Sequence, residues 1–188
     1  MKTMICSIPV LFAICLFFTG MFPVKSLADE AKHADEANKV ESYAIGLSMY
    51  SLRNLFKDGS LKALDYPAFA KKTFGITEID IWDGGFPEDK RNNLEFYREL
   101  KKRSDAANTN IFLVMAGAVD ATGKTVEERK KGGDAHKKYV DHAEILGSKF
   151  VRVFLKAPDG GKRKVALTNS IEALTPLADY AKSKGVMV

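Results

Sequence analysis

From about residue 43 onward, apolar positions fall into two recurring patterns: a short apolar run that suits a strand, then a three-to-four-residue stripe that suits a helix. The order is the same each time. Residues 44–50 predict a first strand, followed by a helix with Asp65 as N-cap, Pro67 in its first turn and Gly75 as its stop. Residues 76–82 predict a second strand. Leu94, Tyr97 and Leu100 then recur at helical spacing behind Asn93, a residue type suited to capping a helix start. Residues 111–116 (IFLVMA) are continuously apolar, as a strand covered on both faces should be. Tyr139, Val140, Ala143 and Leu146 stripe the next helix, which Gly147 ends. Residues 150–155 predict a fourth strand, and Ile171, Leu174, Leu177, Ala178 and Ala181 line the helix after it, with a kink expected at Pro176. Residues 185–188 open a fifth strand.

The strand centres recur at roughly 35 residues, the spacing of parallel strands joined by helical crossovers. Two architectures use that rhythm: an open doubly wound sheet and a (βα)₈ barrel. An open sheet would normally close with a helix over its last strand, and its first strand would run into a glycine-rich phosphate turn. Here Met49, Tyr50 and Leu52 make that turn bulky. The expected fold is therefore α/β, with parallel (βα) repeats forming a partial TIM barrel that ends in strand five.

The first 28 residues read as an export signal rather than as structure. Lys2 is followed by the apolar stretch 8–18, and Ser26, Leu27 and Ala28 make a small-residue cleavage site. An uncleaved anchor is the rival reading, although Ser7, Pro9 and Gly20 interrupt the apolar stretch. Residues 29–42 (DEAKHADEANKVES) lack large apolar side chains and read as a polar tether. Residues 43–188 are left as the folded domain. Cys6 and Cys15 both lie in the leader, so the mature chain has no thiol for a disulfide or a thiolate metal site. Without Lys2 and Lys25 the chain keeps 27 basic and 24 acidic side chains, a balance that gives no reason to expect nucleic acid as a partner. After signal cleavage no membrane association is expected, and the location is periplasmic or secreted.

Three groups of residues raise the question of chemistry. Residues 118–125 (AVDATGKT) loosely fit a P-loop, but alanine stands where the first glycine belongs. Thr125 and Glu128 explain the same stretch as a capping box opening a short exposed helix over residues 126–131, ended by Gly132 and Gly133. His136 and His142 are six apart on one helix, too far around it for a metal pair, and read as solvated positions. On the second strand Glu78, Asp80 and Trp82 share one face by alternation. Two readings of that face stand together. Asp80, Trp82 and Asp83 point toward a polar pocket at the strand ends, or Glu78 or Asp80 forms a buried structural ion pair with Arg152.

The strand 45–52, the stretch 75–84 (GITEIDIWDG), the run 136–147 leading to Val151, Arg152 and Val153, and the stretch 174–186 (LTPLADYAKSKGV) together resemble the xylose isomerase-like TIM barrels. That family comprises sugar phosphate isomerases and epimerases and is similar to endonuclease IV. The resemblance covers residues 43–188 and corresponds to the family's N-terminal half. It implies a small sugar or sugar derivative as ligand, with Tyr50, Asp80, Trp82, Asp83 and Lys156 as substrate-lining candidates. It also implies a divalent metal for the full-length family, held by residues of later strands, so none is expected for this chain, which is then inactive alone. The alternative is a non-catalytic sugar-binding or interaction module that self-associates through open strand edges.

Overall fold

The crossover helices stop largely where glycine permits a left-handed turn. Gly75 and Gly147 both close their helices at φ 69°, a conformation in which a side chain would be strained. A computed structural model describes residues 44–156 and 162–188. The expected export signal (1–28) and polar tether (29–42), with His33, lie outside the described residues. Four parallel strands, β1 (Gly46–Leu47), β2 (Glu78–Trp82), β3 (Asn110–Asp120) and β4 (Phe150–Lys156), stand side by side in chain order. The helices are α1 (Arg53–Lys57), α2 (Tyr66–Phe74), α3 (Leu94–Ala106), α4 (Val126–Asp134), α5 (Lys137–Leu146) and α6 (Arg163–Ser183). The fold is thus α/β with a four-stranded parallel sheet and alternating helices, consistent with a partial TIM barrel.

One face of the sheet makes the core. Ile79, Ile81, Ile111, Val114, Val119 and Val151 are buried in one cluster with Tyr66, Tyr97, Leu100, Val140, Leu146 and Leu177 from the helices. Each such buried aliphatic side chain stabilises the fold by about 1.5–3 kcal/mol relative to exposure. The Asn93 side chain accepts the backbone N–H groups of Glu95 at 3.0 Å and Phe96 at 3.3 Å, so the expected cap opens α3.

Several elements depart from the expected pattern. β1 pairs over two residues only, because the chain turns at Met49 into a 3₁₀ segment, Met49–Leu52, and then into α1. Leu94 on α3 is 42% exposed rather than part of the buried stripe. The fifth strand is reduced to a parallel bridge between Met187 and Phe150. Helix α6 buries Asn169, Ala173, Leu177 and Ala181, an i, i+4 stripe, and leaves Ile171 and Ala178 exposed.

The largest departure is α4. It runs through Gly132 and Gly133 instead of ending before them, and it is docked rather than exposed. A Cβ on Gly133 would sit 1.8 Å from the Ala173 carbonyl oxygen of α6, and one on Gly132 would sit 2.1 Å from the Asp120 carbonyl oxygen. The two glycines are where neighbouring backbone comes close. Arg129, 9% exposed, pairs with Glu172 of α6 and donates to the Gly123 carbonyl at 2.9 Å.

Candidate functional site

Alternation along β2 sends Ile79 and Ile81 into the core and Asp80 and Trp82 to the opposite, inner face of the sheet. Asp80 is 6% exposed, and its Oδ1 accepts the Met49 backbone N–H at 2.8 Å. That bond accounts for the short first strand, since the Met49 amide is held by a side chain of β2. Burial raises the Asp80 carboxyl above the usual range, while the Met49 N–H, the Ser48 hydroxyl and the charge of Arg152 pull the other way. Beside it the Tyr66 hydroxyl donates to the Leu47 carbonyl at 2.8 Å, and burial, then the Asp80 charge, raises its pKa.

Two residues further along β2, Trp82 packs edge-to-face with Tyr50, ring centres 5.0 Å apart. The turn Asp83–Gly85 follows directly. A Cβ on Gly84 would lie 2.1 Å from the Trp82 ring, so glycine is what lets the indole rest on the turn. Tyr50, 49% exposed, also lies under the Arg53 guanidinium at 5.0 Å.

Strand register adds a residue not counted among the sugar-lining candidates. Trp82 pairs with Met115 of β3, and Met115 pairs with Arg152 of β4, so the three form one row across the sheet. The Arg152 side chain donates to Met115 Sδ at 3.3 Å and stacks 4.2 Å from the Phe154 ring centre. The ion pair weighed above is not formed: among the described residues no carboxylate lies within 4.0 Å of Arg152. Glu78 instead accepts from Asn110 Nδ2 at 2.7 Å at the other end of the strand. Spacing within one strand could not reveal this row, because it depends on register across three.

The remaining candidates sit elsewhere. The Asp83 carboxylate accepts the Tyr139 hydroxyl of α5 at 2.9 Å, and burial together with Asp83 pushes that hydroxyl up to about 12. Lys156 ends β4 opposite Asp120, four residues beyond Arg152. The structure therefore brings Tyr50, Asp80 and Trp82 together, adds Arg152, and leaves Asp83 and Lys156 apart.

The histidines do not converge, but His142 is not a solvated position. It is 2% exposed and lies flat on Tyr97, ring centres 3.8 Å apart at 17°, so its ring fills a core position. Burial, then the Lys138 charge, lowers its pKa to about 4. Residues 118–125 form no phosphate cradle. Thr125 and Glu128 make the full capping box, and the Glu128 carboxylate also takes the Lys124 N–H at 2.6 Å, occupying amides that a phosphate would need.

Among the described residues no cluster of three or more His, Cys, Asp or Glu side chains could hold a metal ion, so these residues do not fit a divalent metal site. A cavity of about 650 Å³ opens on the helix side, lined by Phe56, Leu61, Phe86, Phe96 and Arg103. The Arg103 guanidinium is held by Asp65 and Glu99, both at 2.8 Å. The inner sheet face, where buried Asp80 lies near exposed Tyr50 and Arg152, is the better candidate.

No protein-family model and no curated protein matches the chain. Among solved structures it is similar to a candidate sugar phosphate isomerase/epimerase from Anabaena variabilis ATCC 29413, at 23% identity and TM-score 0.55, over 77% of this chain and 52% of that one. It is also similar to protein SMc04130 from Sinorhizobium meliloti 1021, at 19% identity and TM-score 0.51, over 77% of this chain and 49% of that one. The chain spans about half the length of either structure. Over that length it shares the fold of these proteins, a parallel-stranded α/β arrangement consistent with a partial TIM barrel.

Proposed function

We propose that residues 43–188 form the substrate-lining N-terminal half of an exported, metal-dependent sugar isomerase or epimerase-like barrel, and that this chain alone binds a small sugar without converting it. One observation carries the reading: the inner face of β2 sets the Tyr50–Trp82 aromatic pair beside the buried carboxyl of Asp80. A sugar suits that combination, because its C–H face stacks on an aromatic ring while its hydroxyls reach polar groups. The shared fold with the Anabaena protein supports the substrate class by analogy. The export element rests on the pattern of residues 1–28.

Isomerisation at carbon needs a group that moves the proton and, in metal-dependent enzymes, a cation that polarises the oxygen. The described residues offer Asp80 for the first and no ligand set for the second. Incubation of the purified chain with Mn²⁺ and a ketopentose is expected to show weak sugar binding and no aldose. Stoichiometric metal binding together with conversion of ketose to aldose would contradict this.

A second reading is a binding module that self-associates through its β4 side. Phe150, Phe154 and Leu155 on β4, with Met187 and Val188 beside them, are each at least 41% exposed. Apolar side chains along a sheet edge favour pairing with another chain. Sedimentation of the chain is then expected to give a dimer. A stable, folded monomer would remove this reading.

A further inference from the structure

The helix-side cavity is a space that the sugar reading leaves unused. Phe56, Leu61, Leu64, Phe86 and Phe96 wall it, and its volume of about 650 Å³ lies within the range of small-molecule sites. The Phe86 and Phe96 rings meet edge-to-face, 5.0 Å between centres, and Phe56 meets Tyr66 in the same way at 5.7 Å. Two cations of the lining already have anionic partners: Arg103 is held by Asp65 and Glu99, and Lys90 by Asp89 at 2.8 Å. Lys62, the third, is exposed to water.

One part of the wall is shared with the inner-face site. Gly84 and Gly85 of the Asp83–Gly85 turn line the cavity without side chains. A Cβ on Gly84 would strike the Trp82 ring, and one on Gly85 would lie 2.9 Å from Met49 Cε. Met49 Sδ in turn accepts the Trp82 backbone N–H at 3.3 Å. The same glycine backbone thus touches both the cavity and the Trp82 site.

We propose that this cavity is a second binding site, independent of the sugar-lining face, that takes a neutral fused-ring aromatic molecule and reports its occupant to Trp82 through the glycine turn. The phenylalanine rings offer the edge-to-face contacts that another aromatic ring prefers. A sugar would lose the hydration of its hydroxyls against these walls, and a charged ligand would lose more.

N-phenylnaphthylamine, a neutral naphthalene dye that brightens in apolar surroundings, is titrated into the full chain. It is expected to bind at a single site, and excitation of Trp82, the chain's only tryptophan, should sensitise its emission. Naphthalene should displace it, and glucose should not. Phe96→Gln sets an amide in the wall and should weaken the dye roughly tenfold. Leu64→Phe fills the space and should abolish binding while the urea midpoint holds or rises. Phe154→Gln, on the exposed β4 edge, should change nothing. Loss of binding in Phe154→Gln, with full binding in both cavity variants, would overturn the site, and so would the absence of any dye response. Displacement by octanol but not by naphthalene would overturn the aromatic assignment. Displacement by glucose would overturn the independence of the two sites, and bound dye that Trp82 does not sensitise would overturn the placement beside the turn.

Discussion

Replacing Gly133 by alanine is expected to destabilise the domain by about 2 kcal/mol, read as a lowered urea midpoint at unchanged slope. On an exposed helix the same change would be favourable by nearly 1 kcal/mol, since alanine is the better helix former. The sign is decided by the contact across the two helices. The added methyl would lie 1.8 Å from the Ala173 carbonyl oxygen, and that atom belongs to the backbone of α6, so no side-chain rotation can relieve the overlap. The helices must separate, and the half-buried Arg129–Glu172 pair that joins them must loosen with them. A gain in stability would mean that α4 is not docked on α6.

Acidification is expected to weaken the fold through His142, by about 2 kcal/mol between pH 7 and pH 5. The ring is buried against Tyr97, and burial lowers its pKa to about 4, against about 6.5 in an unfolded chain. Between those two values the unfolded state binds the proton and the folded state does not. The stability is therefore fully present above pH 6.5, falls as pH drops toward 4, and changes no further below that on account of this group. His142→Phe keeps a ring over Tyr97 and removes the proton site, so urea titrations of this variant should lose that part of the pH slope. Asp80 contributes with the opposite sign, because its raised pKa favours the folded state as the carboxyl protonates. An unchanged slope in His142→Phe would place the acid sensitivity elsewhere.

Features set by neighbours in sequence were the legible ones. Gly75 and Gly147 as helix stops, Asn93 as a cap and the Thr125–Glu128 box each need only a few consecutive residues. The parallel order of strands followed from their spacing for the same reason. What stayed hidden depends on contacts across the chain. The first strand ends early because Asp80, 31 residues on, holds the Met49 amide. The buried face of α6 is the one bearing Ala173 rather than Ile171, since only a small residue allows the approach of Gly133. His142 is a core position because Tyr97 of another helix lies flat against it, a contact that spacing within one helix does not encode.

The site divides along the same line. Asp80 and Trp82 shared a face by alternation within one strand, and the structure keeps them together with Tyr50. Asp83 follows Trp82 in sequence but belongs to the helix layer through Tyr139. Arg152 joined the site only through register, two strands away. Sugar recognition by the Tyr50, Asp80 and Trp82 face can be read from backbone amide chemical shifts of the isotopically labelled chain during a sugar titration. Saturable shifts confined to Tyr50, Asp80, Trp82, Met115 and Arg152 are expected. Shifts gathered instead around Phe56, Phe86 and Phe96, in the helix-side cavity, would contradict it.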